Sequence, residues 1–381
     1  MGLGETIEVE FITFSDKDTG VDVTRLSDNV GNTLHPYFTQ NLLRSDDGML
    51  LCASDRTGAW QLFLLDLRDE CMIQITEGTS IAPGAPCLTH DGKTTFYWDG
   101  GSLMMVNNKT LETQRIFELP EGWRPTKLSI TRDGRFLAFA IGEIIKLWEL
   151  LTKNKISSHL HLGLYARPRS ILFRYDVKCG EAMPVWGEQA WITHVNIHPL
   201  NPDLILFNHE GPWHLVQRMW VANAETHEIY PLLPYRRIYE RAGHEFFTDG
   251  GRVAAQYSRR YSPSSQEWEC FDVFLDIDGS NVKMYRYERN IRTPSHMFSR
   301  DEKIGVIDRS YLTRDREDDS YVSSVRYEEG KAILKPICRH GSTWSGQAAH
   351  PHPIITFDKK HVIFTSNMEG RENLYMAPIA I

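Results

Sequence analysis

The sequence has no apolar stretch long enough to cross a membrane and no excess of positive charge. It contains 42 Lys and Arg residues against 50 Asp and Glu residues, so the formal net charge is −8 at pH 7. Proteins that bind nucleic acids or anionic membranes usually present a net basic surface. We therefore expect neither a nucleic-acid partner nor a membrane partner, and an anionic substrate would have to meet locally clustered positive charge.

Cysteine is scarce and shows no spacing typical of a metal site or a disulfide framework. The chain has six cysteines and no Cys-x-x-Cys pair. Several of them lie in apolar runs, which indicates buried thiols in a reducing compartment. The first residues lack a basic segment followed by an apolar run, so they do not indicate a signal peptide. These features predict a cytoplasmic protein.

Helical patterns are also rare, and short acidic turns divide the chain instead. Asp-Gly between two alternating runs is a strong hairpin signal, because glycine adopts positive φ without steric cost. Each turn precedes a run rich in β-branched and aromatic residues, and a further strand-like run follows it. The turns lie at residues 46–48, 91–92, 133–134, 201–203, 249–251, 301–303 and 358–360.

Seven units of this kind, spaced by roughly 40 to 65 residues, predict an all-β, seven-bladed β-propeller formed by residues 1–381 as a single domain. The last unit is short. Two early segments, residues 7–11 and 21–26, precede the first unit and are the candidates for the N-terminal strand that completes the last blade and closes the ring. Residues 143–168 include the one helix-permitting stretch, which we interpret as an insertion in the third blade.

Histidine recurs near the start of the predicted innermost strand in five units. These strand starts meet at one mouth of the central channel, so their side chains are expected to converge. A single histidine at a strand start is more often a hydrogen-bonded structural residue, but five units with histidine at the same level indicate a shared site. The histidines are His35, His194, His244, His296, His350 and His352.

Loops that return to the same mouth carry several cationic residues. They are Arg56, Arg259, Arg260 and Arg309, and the same set of loops carries His209-Glu210-Gly211-Pro212. Histidines ringed by arginines on an acidic protein are what an anion-binding metal site requires. The plainer interpretation of residues 209–212 is a β-turn set by Gly and Pro. Arg259 belongs to a loop rich in Ser and Pro, where an arginine can serve solubility alone.

The segment Gln347-Ala348-Ala349-His350-Pro351-His352-Pro353 has the densest set of candidate metal ligands. In an extended chain His350 and His352 point to the same face and could share one ion. Gln347 has odd spacing and joins them only if the chain bends between residues 346 and 349. The alternative is a rigid, proline-spaced turn at the surface.

These motifs resemble those of the oligogalacturonate lyases, which are seven-bladed propellers of the bacterial cytoplasm that cleave short pectin fragments. The resemblance runs essentially from end to end. Its most specific parts, in this order, are His-Glu-Phe at residues 244–246, Pro-Ser-His-Met at 294–297 and the segment 347–353. The other matching stretches are residues 19–26, 74–78, 209–212 and 218–220.

The resemblance implies a metal-dependent β-elimination of 4-linked galacturonate di- and oligosaccharides, giving 4-deoxy-L-threo-5-hexosulose uronate in pectin catabolism. It implies a divalent cation, usually manganese (Mn²⁺), held by His296, Gln347, His350 and His352. It further implies His244 as the Brønsted base and Arg218 as a substrate-facing cation. Arg218 alternates with apolar neighbours, however, so a solvated strand face is the alternative for it.

The substrate would be a small acidic oligosaccharide. From their expected place at the channel mouth, we predict His209, His194, Arg56 and Arg259 as substrate-binding residues. Two other functions stay open at this point: a related lyase acting on another uronate disaccharide, and a non-catalytic propeller that binds a partner. A homo-oligomer is compatible with the sequence.

Overall fold

The computed structural model describes residues 2–154, 158–236, 239–260, 268–288, 296–310 and 320–379. Strands dominate these residues and form six sheets. Within the described ranges, no helix is long and apolar enough to cross a membrane. The expectation of an all-β protein is therefore confirmed.

The first four sheets follow one another along the chain, and the strands in each are antiparallel. The first contains, in spatial order, β1 (Thr6–Glu8), β7 (Cys71–Gln74), β6 (Gln61–Asp66), β5 (Met49–Ser54) and β4 (Thr33–Leu34). The second contains β11 (Thr113–Glu118), β10 (Ser102–Asn107), β9 (Thr94–Asp99) and β8 (Cys87–Leu88). The third contains β12 (Trp123–Pro125), β14 (Phe136–Glu143), β15 (Arg169–Asp176) and β16 (Glu181–Gln189), and β13 (Ser129–Ile130) also pairs with β14. The fourth contains β17 (Val195–Ile197), β18 (Leu204–Asn208), β19 (Met219–Asn223) and β20 (Ile229–Pro231).

The acidic turns between strands have the side-chain chemistry that their sequence predicts. The Asp91 carboxylate accepts hydrogen bonds from the Thr89 hydroxyl at 2.7 Å and from the Lys93 amide at 3.0 Å. Gly92 follows with a φ of 74°, in the left-handed region. Residues 131–135 repeat this arrangement between β13 and β14. Local hydrogen bonds thus define where one strand ends and the next begins.

The fifth sheet has eight strands, although the sequence predicted two separate units for this stretch. Its spatial order is β21 (Glu240–Phe247), β22 (Val253–Arg259), β23 (Glu269–Leu275), β24 (Lys283–Tyr287), β28 (Lys331–Arg339), β27 (Tyr321–Glu328), β26 (Ile304–Ser310) and β25 (Met297–Ser299). Two antiparallel runs of four strands are joined here by a parallel pairing of β24 with β28, in which Arg286 faces Lys331 and Tyr287 faces Ala332. The pairing of β24 with β28 thus merges the two predicted units into one sheet, and the described residues form six sheets and not the seven that the sequence predicted.

The sixth sheet combines the two ends of the chain. It contains β2 (Ile12–Ser15), β3 (Asp22–Arg25), β31 (Asn373–Pro378), β30 (His361–Ser366) and β29 (Ile354–Ile355). β3 pairs with β31, and Thr24 faces Met376. Residues 21–26 thus contribute a strand to the last unit, as the sequence suggested.

The other early segment behaves differently from the prediction. β1 pairs with β7 of the first sheet, and the Val9 amide donates to the Glu70 carbonyl at 2.7 Å. The Val9 side chain is buried in the core around that sheet. The expectation that residues 7–11 complete the last unit is therefore wrong, because the Val9 side chain is buried beside the first sheet.

Two helices lie between β14 and β15, inside the stretch 143–168 in which helix was favoured. They are α1 (Lys146–Lys153) and α2 (His159–Ala166). Gly163 of α2 packs so tightly on Trp191 that a Cβ atom there would lie 2.3 Å from the indole ring. α2 is therefore seated on the segment that leads into the fourth sheet.

Candidate metal centre

Three histidines from two distant parts of the chain converge in the interior. Ligand atoms of His296, His350 and His352 all lie within 4.8 Å of one another. The Nε2 atoms of His296 and His352 are 3.1 Å apart. Two nitrogens at about 2.1 Å from one ion are roughly 3.0 Å apart when the angle at the metal is 90°. The spacing of this pair therefore fits joint coordination of one cation.

The backbone at residues 347–352 turns these side chains toward His296. Gln347–Ala349 form a short 3-10 helix. The chain therefore bends between residues 346 and 349, which is the condition under which Gln347 could join the histidines. His350 is extended, with φ −82° and ψ 136°, whereas His352 has a φ of 45°. A positive φ is uncommon for a residue other than glycine and is often found at functional positions. The Gln347 side chain is exposed and lines the same cavity as His352.

Asp308 orients His296 from the neighbouring strand β26. Its Oδ1 accepts the His296 backbone amide at 2.9 Å, and its Oδ2 lies 2.8 Å from Nδ1 of the ring. This contact leaves Nε2 of His296 directed at the other two histidines. The sequence gives little sign of Asp308, because its role depends on the register of β25 against β26. Pro294 and Ser295, which precede His296 in the motif, lie outside the described residues.

The histidines of the cluster are in the neutral form that binds metals. Burial, with the neighbouring histidines, places the pKa values of His296 and His352 well below the usual range. Burial also lowers the pKa of His350, and its Nδ1 has no hydrogen-bond partner among the described residues. Neutral imidazoles with free nitrogen atoms are the ligands that a divalent cation requires.

His244 lies beside the cluster, on a bulge in β21. Its ring centroid is 4.4 Å from that of His296 and 5.3 Å from that of Trp213. The residue has a φ of 54°, where the register of β21 against β22 shifts. Burial, and then the charge of neighbouring groups including Arg218, lowers the pKa of His244 far below its usual value. His244 is thus a neutral imidazole whose Nδ1 lacks a partner in the described part of the chain.

Arg218 is buried between two carboxylates and is not on a solvated strand face, so that alternative is wrong. Its side chain is only 1% exposed. Nε donates to Glu245 at 2.9 Å, and Nη1 donates to Glu210 at 2.9 Å. Burial opposes ionisation of Glu245, but Arg218 outweighs it and keeps the pKa of that carboxyl low. Glu210 and Glu245 lie in motifs noted in the sequence, residues 209–212 and 244–246, but neither glutamate was assigned a role there.

Of the four residues predicted to bind substrate, His194 has contacts with this region. Nδ1 of His194 lies 3.3 Å from Glu245, and its ring centroid is 5.2 Å from that of Tyr37. Nε2 of His209 is 2.7 Å from Glu188. Arg56 pairs with Asp28, and Arg259 pairs with Glu269.

Two aromatic residues that follow His35 pack against the histidine cluster. The sequence predicted no role for either of them. The Phe38 ring stacks on that of His352 at a centroid distance of 5.7 Å and lies 5.5 Å from that of His296. The Tyr37 ring lies 5.1 Å from that of His352. The local sequence signal that could have identified them is their position two and three residues after His35. His35 itself is buried, and its Nδ1 lies 2.7 Å from the Pro36 carbonyl.

A cavity of about 620 Å³ opens next to the histidines. Its wall includes His35, Tyr37, Gln347 and His352. It also includes Arg124, Glu143, Pro168 and Trp191, and Trp191 packs on Gly163 of α2. This volume is within the range of small-molecule binding sites, which usually measure about 300–1,000 Å³.

Comparison with known proteins agrees with this geometry. A sequence model of a family described as oligogalacturonate lyase matches residues 1–380. An oligogalacturonate lyase from Dickeya dadantii is 27% identical over 400 residues, covering 100% of this chain and 98% of that protein. The solved structure of an oligogalacturonate lyase in complex with manganese has a TM-score of 0.87 and 27% identity, covering 100% of this chain and 99% of the other. An oligogalacturonate lyase from Vibrio parahaemolyticus has a TM-score of 0.85 and 25% identity, with coverage of 100% and 99%. This chain belongs to the oligogalacturonate lyase family.

Proposed function

We propose that the protein cleaves 4-linked galacturonate di- and oligosaccharides by metal-dependent β-elimination. The observation that carries this proposal is the convergence of His296, His350 and His352 beside the neutral imidazole of His244. The product would be 4-deoxy-L-threo-5-hexosulose uronate, within pectin catabolism. The family membership and the cavity of about 620 Å³ support a small acidic oligosaccharide as the substrate.

The residues present fit a divalent cation. Three neutral imidazoles converge, one of them is oriented by Asp308, and Gln347 lies at the rim of the same cavity. We propose His296, Gln347, His350 and His352 as the ligands and manganese as the ion, because a similar solved structure is a complex with manganese. A cation held by these residues would supply Lewis-acid stabilisation of the negative charge that develops on the substrate in the enolate-like transition state.

His244 is proposed as the base that removes the C5 proton. The electron pair left on C5 forms the C4–C5 double bond as the C4–O bond breaks, and the leaving oxygen keeps the bonding pair and takes up a proton. The immediate product is therefore a 4,5-unsaturated uronate, whose ring opens and whose enol tautomerises to 4-deoxy-L-threo-5-hexosulose uronate. The base must be neutral before reaction, and the lowered pKa of His244 meets that requirement. Arg218, proposed as the catalytic cation, contributes positive potential at His244 while Glu210 and Glu245 hold its guanidinium in place.

The substrate-binding residues expected from the sequence stay part of the proposal. For His194 the support is its contact with Tyr37 beside the histidine cluster. His209, Arg56 and Arg259 are each paired with a carboxylate, so a sugar carboxylate would have to exchange with that partner. They are therefore proposed as contacts made after substrate enters.

We also propose a seven-bladed propeller in a single domain, residues 1–381, with α1 and α2 as an insertion in the third blade. The eight-stranded sheet divides naturally into two four-stranded runs, which would give seven units together with the other five sheets. The pairing of β3 with β31 would then close the ring. None of the six cysteines, which all lie in the described part of the chain, is in a disulfide, and this is compatible with the proposed cytoplasmic location. A homo-oligomer is likewise compatible with the proposal.

The test is product formation with defined oligosaccharides. We expect the manganese-loaded protein to release an ultraviolet-absorbing unsaturated product from digalacturonate and trigalacturonate, and a chelator to abolish this until Mn²⁺ is restored. Activity that survives verified metal removal would contradict the metal mechanism. Activity only on glucuronate or rhamnose-linked disaccharides would indicate the related lyase, and binding without cleavage would indicate the non-catalytic module.

A further inference from the structure

Lys127 is a cationic side chain of the cavity wall that contacts an aromatic ring beside the histidine cluster. It lines the cavity together with His352 and Gln347. Its ammonium nitrogen lies 4.1 Å from the centroid of the Tyr37 ring, and the same ring contacts His352 and His194. The Lys127 ammonium is therefore held by an aromatic platform that also supports the candidate metal centre.

The backbone around Lys127 is well anchored. The Thr126 amide donates to the Ala140 carbonyl at 2.8 Å, and the Leu128 amide donates to the Ala85 carbonyl at 3.1 Å. Lys127 thus lies between β12 and β13 on a segment tied to both the second and the third sheet. Pre-positioned cations of this kind bind an anion with little loss of side-chain entropy.

The charge of Lys127 is not neutralised by a close carboxylate. Among the described residues it forms no ion pair within 4.0 Å, and the negative charges of Glu210 and Glu245 act on it together with the opposing charge of Arg218. Glu143 of the cavity wall is instead paired with Arg169. Burial lowers the pKa of Lys127 to about 8, so the side chain is still mainly protonated at neutral pH. A half-buried ammonium without a carboxylate partner favours an anionic ligand.

We propose that Lys127 binds a carboxylate of the galacturonate substrate and so contributes to the preference for uronates over neutral sugars. This rests on the proposed function, and it adds a specificity residue that neither the motifs nor the histidine cluster pointed to. Lys127 places a positive charge on the cavity wall, on the aromatic ring beside the histidine cluster, in addition to the charge of a cation held by the histidines.

The test compares Lys127→Met, which keeps length and removes charge, with Lys127→Arg, which keeps charge. Lys178→Met is the matched control, because Lys178 is exposed in the turn between β15 and β16. In the manganese-loaded enzyme we expect Lys127→Met to raise the KM for digalacturonate roughly 10- to 100-fold, the range for a lost charge-assisted hydrogen bond. Lys127→Arg should recover most of this loss, and Lys178→Met should match the wild type.

Calorimetric binding of galacturonate and of neutral galactose separates this inference from the proposed function. We expect the wild type to prefer galacturonate and Lys127→Met to show a weaker preference, because a bound cation also attracts the carboxylate. A KM and a galacturonate preference equal to those of Lys178→Met would overturn the role of Lys127. If the wild type cleaves no galacturonate, the proposed function fails, and the binding comparison still decides whether Lys127 recognises the carboxylate. Thermal unfolding checks the fold, and Lys127→Gln replaces the Met variant if that variant does not fold.

Discussion

Nε2 of His296 and Nε2 of His352 face each other at 3.1 Å, although 56 positions separate the two residues in the chain. Both rings are buried, and both have pKa values well below the usual range because of that burial. Because Nδ1 of His296 faces Asp308, its Nε2 can either accept a hydrogen bond from Nε2 of His352 or bind a cation. A cation would engage the nearby His350 as well, whereas the hydrogen bond engages two rings, so we interpret the pair as two ligands of one cation.

Asp308→Asn is expected to weaken metal binding without removing a ligand. The carboxylate contacts both the backbone amide and Nδ1 of His296, so its loss lets the ring reorient. Partners of this kind typically contribute about 10- to 100-fold in metal affinity. Manganese affinity, measured by competition with a chelator, should fall by that factor. Asp69→Asn, in an exposed turn, is the control, and equal affinities in the two variants would contradict the role of Asp308.

His244→Asn is expected to abolish turnover while the metal content stays normal. Asparagine tolerates the left-handed backbone that His244 adopts, so the fold should be kept. Loss of a general base usually lowers the rate by about 10² to 10⁴. Steady-state kinetics and elemental analysis of the purified variant measure the two effects. His161→Asn, on the exposed face of α2, controls for the loss of a histidine, and near-normal activity in His244→Asn would show that another group is the base.

The sequence located the histidines well, because strand starts before acidic turns can be compared between units. Asp308, Tyr37 and Lys127 were not found, since each acquires its meaning only from register or from packing against another sheet. Arg218 illustrates the same limit. Arg218 directly precedes β19, and its alternation with apolar neighbours is compatible with either a buried or a solvated side chain. Only the positions of Glu210 and Glu245 explain why it is buried.

The fold was predictable in its strands and turns but less so in its sheet edges. Hairpins depend on local chemistry, such as that of Asp91 and Gly92, which can be read from a few residues. Pairing between strands that are distant in the sequence depends on which apolar side chains are buried in the same core. Residues 7–11 joined the first sheet for that reason, and β24 joined β28 although nothing in either strand indicates it.

Arg218→Met is expected to lower stability as well as activity. It would leave the carboxylates of Glu210 and Glu245 without their cation, and both are buried or nearly so. Removing one partner of a buried ion pair usually costs about 3–5 kcal/mol. Denaturant unfolding should therefore show a large loss for Arg218→Met and a loss of at most about 1 kcal/mol for Arg169→Met, whose pair with Glu143 is exposed. Adding Glu245→Gln to Arg218→Met should recover part of the loss, and no recovery would argue against this charge pairing.

Asp272 is expected to make the fold less stable as pH rises from about 4 to about 7. The residue is fully buried where the two halves of the eight-stranded sheet meet, and its Oδ2 accepts the hydroxyls of Tyr287 and Tyr327. Burial raises the pKa of Asp272 to about 7 despite these hydrogen bonds. Because the folded state then binds this proton more tightly than the unfolded state, stability falls through that interval, by an amount on the order of a few kcal/mol.

Asp272→Asn removes this titration and keeps an oxygen that accepts the tyrosine hydroxyls. We therefore expect the Tm of Asp272→Asn to exceed that of the wild type by more at pH 8 than at pH 5. The Tm of the control Asp69→Asn should match that of the wild type at both pH values. Other ionisable groups are common to all three proteins, so comparing the Tm values isolates the contribution of Asp272. An identical pH dependence in wild type and Asp272→Asn would mean that Asp272 is already ionised in the folded protein at pH 5, and that the hydroxyls of Tyr287 and Tyr327 outweigh the cost of its burial.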